Sequence, residues 1–272
     1  MNSSALNSSV DSLKPVPSKT LTVDALTVQI YESPEAVALA GSAMASEILR
    51  QAINQRNQAN AIFATGRSQV QFLHHLTSPN NPLPWHRITG FHLDEYLGIS
   101  ADHPASFRHY LAQHLTSKVS LAQWHGLEGD AEQPLEVCET YSDLLHTHPA
   151  DLCCLGVGNN GHLAFNDPDV ADFSDPRTVK LVRLDEQNRQ QQVISSEFET
   201  LAAVPQYAFT LTLTAIQAAA NVLCFVYGKG KTNIVDKLIN GPITPNCPAS
   251  ILRKMNQAVL LIDADAAGKN SL

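Results

Sequence analysis

Four short runs of this chain are apolar at every position: Ala61–Ala64, Leu152–Leu155, Val222–Tyr227 and Ala258–Ile262. A strand with one wet face alternates apolar and polar side chains. A strand that is apolar throughout has to be covered on both faces. Segments with helical spacing separate these runs, at 35–56, 69–76, 134–146 and 230–240. Strands that alternate with helices and are buried on both sides specify an α/β fold, a Rossmann-like, doubly wound, mostly parallel sheet with helices on both faces. Further strands are predicted at Thr20–Tyr31, in two pieces around Asp24-Ala25, and at Arg87–Leu93, Thr178–Leu184 and Ala208–Leu213. Ser33-Pro34 supplies a cap and a first-turn proline for the long helix, and His103-Pro104 opens another helix to about Leu115. Short helices are predicted at 214–219 and 248–254.

No linker or internal repeat divides the chain, and its 272 residues suffice for one large domain, expected over 20–272. Residues 1–19, rich in Ser, Asn and Pro, are expected to form a loose tail. The least regular stretches, 169–176 and 185–205, are a candidate lid.

The net charge of −8 argues against a general nucleic-acid surface. An anionic ligand would have to be held by a local cluster of cations and backbone N–H groups. Five cysteines, without a C-x-x-C spacing, read as reduced, buried thiols of a cytoplasmic protein. No apolar run approaches the roughly 18 residues of a membrane span, and the N-terminus lacks the pattern of a secretory signal.

Three strand ends carry polar groups that, in such a sheet, would face one crevice. Thr65-Gly66-Arg67-Ser68 precedes a helix; its hydroxyls, guanidinium and N–H groups suit a phosphate, and the alternative is an ordinary turn with a Ser cap. Asp94-Glu95-Tyr96 offers a carboxylate that can act as a general base if burial raises its pKa, or a solvated acidic turn. The third is Leu155–Pro168, L-G-V-G-N-N-G-H-L-A-F-N-D-P. Its glycines match a dinucleotide fingerprint only weakly, since no acidic residue ends a second strand about 20 positions on. It reads instead as a catalytic loop around His162, with Asp167 placed to orient the imidazole. No histidine spacing suggests a metal site. Arg189 and Lys231 are candidate phosphate partners; Lys231 stands in the first turn of a helix, where a cation is disfavoured unless an anion is bound.

Together, Phe91–Gly98 (F-H-L-D-E-Y-L-G), His103–Phe107 (H-P-A-S-F) and Gly156–Pro168 resemble the glucosamine-6-phosphate deaminase family, whose superfamily includes 6-phosphogluconolactonase. The resemblance spans about residues 28–263. Asp94-Glu95-Tyr96 and the A-F-N-D-P ending favour the deaminase side. It implies a sugar-phosphate isomerase fold and cofactor-free conversion of glucosamine 6-phosphate to fructose 6-phosphate and ammonia. By motif, Asp94 resembles the base that moves a proton between C2 and C1. His162 resembles the ring-opening residue, and Asp167 matches the family's glutamate. Thr65, Gly66, Ser68, Arg189 and Lys231 resemble phosphate contacts, with Arg67, Glu95 and Gly161 as further binding candidates. Asn160 stands where the family prefers aspartate, which shifts charge support for His162 to Asp167. The expected partner is a small-molecule sugar phosphate, with no nucleic acid or membrane, in a non-allosteric monomer or small homo-oligomer. The rival functions are lactone hydrolysis and non-catalytic sugar-phosphate sensing.

Overall fold

A computed structural model describes residues 15–194 and 198–268. The tail expected over 1–19 lies outside the described residues as far as residue 14; Ser18 already donates to Ile30 O and the first strand begins at Lys19.

The chain opens with a hairpin, β1 (Lys19–Val23) and β2 (Leu26–Tyr31), turning at Asp24 with φ +53°. Helix α1 (Pro34–Arg56) begins as its sequence specifies: Ser33 Oγ accepts from Ala36 N, and Pro34 fills the first turn. β3 (Ala59–Phe63), α2 (Arg67–Leu76) and β4 (Ile88–His92) follow. A three-residue strand, β5 (Asp94–Tyr96), leaves β4 after a bend at Leu93. Then come α3 (Phe107–Leu111), β6 (Gln123–His125), α4 (Pro134–Thr147) and β7 (Leu152–Gly156). The second half holds β8 (Val179–Arg183), α5 (Glu186–Ile194), β9 (Tyr207–Leu211), α6 (Leu213–Gln217), β10 (Val222–Val226), α7 (Thr232–Asn240), β11 (Ala258–Asp263) and α8 (Ala264–Ala267).

Eight strands form the main sheet in the order β1-β2-β11-β10-β7-β3-β4-β6, parallel throughout except for the β1 edge. Its all-apolar strands divide their side chains between two cores, as a doubly covered sheet requires. Ala61, Phe63, Cys154, Leu223 and Phe225 pack under α1 and α2. Ile62, Cys153, Leu155, Val222, Cys224 and Val226 pack on the opposite face with α4 and α7. From β3 the chain works outward through β4 and β6. It then returns to β7 beside β3 and works the other way through β10 and β11. The winding direction therefore reverses between β3 and β7, the place where such sheets open a ligand crevice.

β5, β6, α5 and α8 are not expected from the sequence, and two further features depart from that expectation. The strands near 178–184 and 208–213 do not join the parallel sheet. They form with β5 a separate antiparallel sheet, β5-β9-β8, beside the crevice. The helix expected from His103 starts at Phe107, because Ser106 Oγ accepts from His109 N and sets the helix start there. Past Leu111 it widens into a π-helical turn over Ala112–Thr116.

Candidate active site

The turn after β3 and the loop after β7 stand side by side at the switch point. Gly66 enters α2 with φ +95°, and no side chain caps that helix, so the alternative of a serine cap is not realised. Ser68 lies inside the first turn, its hydroxyl close over Gly156; a Cβ built on Gly156 would meet Ser68 Oγ at 2.8 Å. Two tyrosines brace the turn from outside: Tyr110 OH donates to Gly66 O (2.9 Å) and Tyr227 OH to Arg67 O (2.8 Å). Thr65 sits half-buried at the strand end, and Arg67 is exposed with no carboxylate partner among the described residues.

Lys231 reaches the same spot from the 3₁₀ turn that precedes α7. Its Nζ donates to Val157 O (2.8 Å) and Asn159 Oδ1 (2.7 Å). Burial lowers its pKa from the ordinary lysine value. Both acceptors are neutral, and among the described residues no carboxylate pairs with it. A half-buried ammonium without a carboxylate partner among the described residues, beside an uncapped helix start, suits an anion.

His162 stands on the loop after β7, about a quarter exposed, with Nδ1 3.0 Å from Asp167 Oδ1. The carboxylate is buried and holds the ring so that Nε2 is the nitrogen left for a substrate. The ring lies flat against Gly158: a Cβ there would stand 2.2 Å from both Cε1 and Nε2. Asn160 ties the arrangement together. Its Nδ2 donates to Asp167 Oδ1 (2.7 Å) and its Oδ1 accepts from His162 N (3.0 Å). The amide therefore fixes both the orienting carboxylate and the backbone of the histidine, while Asp167 supplies the charge.

Asp94 enters from β5. It is the register partner of Thr210 on β9, and Thr210 Oγ1 accepts from Phe165 N in the histidine loop (3.0 Å). Asn166 Nδ2 adds a bond to Leu211 O, whose own N–H donates to Leu93 O. The small sheet is thus the brace that sets Asp94 against the His162 loop. Asp94 is buried and makes no side-chain hydrogen bond among the described residues. Burial, reinforced by the neighbouring Glu95 charge, raises its pKa well above the ordinary carboxylate range.

Three predicted site residues are otherwise engaged. Glu95 is fully buried and turns to the start of α3. It accepts from Tyr96 N and Phe107 N on Oε1, and from Ser106 Oγ, Arg108 N and Arg108 Nε on Oε2, closing the start of α3. Gly161 spends its N–H on Gly158 O and its carbonyl on Ala249 N. Arg189, on α5, turns Nη2 to the carbonyls of Leu201 and Val204 (2.7 and 2.9 Å), so it holds its own segment together. Part of the candidate lid is likewise pinned: Lys180 Nζ, buried, binds Asp175 Oδ2 (3.0 Å) and Val170 O (2.8 Å), and Arg177 forks onto Asp175. The rest of that region contains α5, a helix not expected from its polar sequence.

Sequence reasoning missed Tyr110, Tyr227 and Thr210, whose parts depend on contacts far along the chain. Among the described residues no group of three or more His, Cys, Asp or Glu side chains is arranged to hold a metal ion, and no helix is long and apolar enough to cross a membrane.

The sequence model of a family described as glucosamine-6-phosphate isomerases/6-phosphogluconolactonase matches residues 32–261. The chain is 30% identical over 229 residues to a glucosamine-6-phosphate deaminase of Listeria monocytogenes, covering 84% of this chain and 95% of that protein. It is 31% identical over 226 residues to that of Streptococcus gordonii, covering 83% and 93%. A solved monomeric glucosamine-6-phosphate deaminase superposes with a TM-score of 0.80 at 27% identity, over 88% of this chain and 98% of that one. The 6-phosphogluconolactonase of Trypanosoma brucei shares the fold, with a TM-score of 0.73 at 18% identity over 92% and 98%.

Proposed function

The chain belongs to the family of glucosamine-6-phosphate isomerases and 6-phosphogluconolactonases, and on that basis we propose that it deaminates glucosamine 6-phosphate, giving fructose 6-phosphate and ammonia. What supports this reading is that two different proton-handling groups stand on segments fastened to each other through Thr210. His162 is oriented through Nδ1 by Asp167, and Asp94 is a buried carboxylate that makes no side-chain hydrogen bond among the described residues. Simple hydrolysis of a lactone needs a base for water; it does not need a second base held for a carbon-bound proton.

The phosphate is held by Lys231, Ser68, Thr65 and the N–H groups of Gly66 and the first turn of α2, with Arg67 at the rim. That anchor fixes the far end of the sugar, and its binding energy holds the reacting carbons near the bases. Nε2 of His162 takes the proton of the O1 hydroxyl and returns it to the ring oxygen as the C1–O5 bond breaks, giving the open-chain aldehyde. Asp94, as carboxylate, removes the proton from C2 of the ammonium-bearing sugar; the electrons form a C1–C2 enolate, and a proton from the ammonium passes to O1 to give the enolamine. Protonation at C1 by the same carboxyl leaves an iminium at C2. Water adds there, and ammonia departs as the ketone forms. The raised pKa of Asp94 suits this role, because a more basic carboxylate shares a carbon-bound proton more evenly. No step calls for a cofactor. With its net charge of −8 and a monomeric relative of the same fold, the chain is read as a cytoplasmic monomer or small homo-oligomer that binds a sugar phosphate and not nucleic acid.

The test is turnover. With glucosamine 6-phosphate, ammonia and fructose 6-phosphate should appear in equal amounts, and Asp94→Asn should stop both. Hydrolysis of 6-phosphogluconolactone without ammonia release from the amino sugar would overturn the assignment.

A further inference from the structure

Gln69 is fully buried next to the phosphate turn, yet it is a polar residue in the first turn of α2. Its Nε2 donates to Leu155 O at the end of β7 (3.1 Å) and to Ser68 Oγ (3.0 Å). Its Oε1 is buried with no partner among the described residues. A side chain kept only for folding would not hold an orphaned carbonyl oxygen, which costs stability that an apolar residue of the same size would not.

The amide has only one workable orientation. Leu155 O can accept and cannot donate, so the NH2 end must face it. With that end fixed, Ser68 Oγ is the acceptor of the second N–H, and its own proton must point away from Gln69. Gly156 closes the β7 side, where a Cβ would already meet Ser68 Oγ at 2.8 Å. The remaining direction is the crevice. We propose that Gln69 is a positioning residue for substrate phosphate: through Leu155 O it locks the Ser68 hydroxyl as a donor aimed into the cradle. This rests on the assignment of the Thr65–Ser68 turn and Lys231 as the phosphate site.

Full-length protein and the variants Gln69→Leu, Gln69→Glu, Ser68→Ala and Ser68→Ala/Gln69→Leu separate the possibilities. Calorimetric titration with inorganic phosphate gives affinity without turnover, and kinetics with glucosamine 6-phosphate give KM and kcat. Gln69→Leu should weaken phosphate binding and raise KM about tenfold, with kcat held within about twofold. It should add nothing in the Ser68→Ala background, since both substitutions remove the same donated bond. Gln69→Glu should weaken binding further, because a carboxylate draws the Ser68 proton inward; it also preserves the comparison if the leucine variant does not fold. Wild-type phosphate affinity in Gln69→Leu alongside weakened binding in Ser68→Ala would refute the positioning role alone. Additive losses in the double variant would refute it equally. Unchanged affinity in Ser68→Ala would overturn the phosphate assignment of the turn, and this inference with it.

Discussion

Gly158 sets how closely the histidine ring can lie on its loop. Its φ lies outside the left-handed region, so alanine is acceptable to the backbone and the added Cβ is the whole perturbation. That carbon would stand 2.2 Å from His162 Cε1 and Nε2 and 2.4 Å from Cδ2. Non-bonded carbons settle near 3.5 Å, so the ring has to retreat by about 1.3 Å. The Nδ1–Oδ1 distance is 3.0 Å; a displacement of that size takes it past hydrogen-bond range and moves Nε2 off the sugar. A misplacement of about 1 Å at a reacting group can cost about 100-fold in rate, or ~2.7 kcal/mol of transition-state stabilisation. Gly158→Ala should therefore lower kcat for ammonia release about 100-fold. Calorimetric affinity for inorganic phosphate should not change, because the proposed phosphate site rests on Lys231 and the Thr65–Ser68 turn and not on the imidazole. A kcat within about threefold of wild type would refute the reasoning, since it would mean that the ring position set by Gly158 and Asp167 does not matter to turnover.

Other outcomes follow from the same geometry. Asp94→Asn should abolish deamination yet raise the thermal midpoint at neutral pH. Between the ordinary carboxylate range and the raised value of Asp94, the native chain holds a proton that the unfolded chain has released, so stability falls as pH rises through that window. Unfolding measured across pH should show this decline in the wild type and a flatter curve in the variant; equal curves would count against a raised Asp94 pKa in the folded chain. Activity of the wild type should fall on the acid side as Asp94 takes up its proton, which a pH–rate profile of kcat reads directly. Lys231→Met should weaken inorganic phosphate and substrate binding by ~1.5–3 kcal/mol, with little loss of thermal stability. Glu95→Gln should act the other way. It strips charge from a buried carboxylate that receives five hydrogen bonds and should cost about 3 kcal/mol in denaturant unfolding, while phosphate affinity stays near wild type.

Local patterns carried the architecture. All-apolar runs announced strands covered on both faces, and Ser33-Pro34 announced the start of α1. Each is a matter of residues within a few positions of one another, so side-chain chemistry and backbone propensity suffice to read it. What was not legible depends on partners far along the chain. Asp94 and Glu95 are adjacent acids of the same character, and nothing local separates a base from a brace. Successive side chains of a strand face opposite ways, and only the packed molecule shows which way is which: Glu95 turns to α3, and Asp94 faces the loop that Thr210 fastens. The small β5-β9-β8 sheet was invisible for the same reason, since β5 (Asp94–Tyr96) pairs with β9 (Tyr207–Leu211) far along the chain and register is set by pairing. Asn160 read as a weaker aspartate; in the fold it bridges Asp167 and the His162 backbone. Arg189 read as a phosphate ligand; in the fold its Nη2 meets the carbonyls of Leu201 and Val204, contacts that nothing local announced. Residue type and spacing specify which groups are available and which elements carry them. The direction each group points, and what it meets there, is set by the docking of distant elements, where burial decides the energy of every unpaired charge.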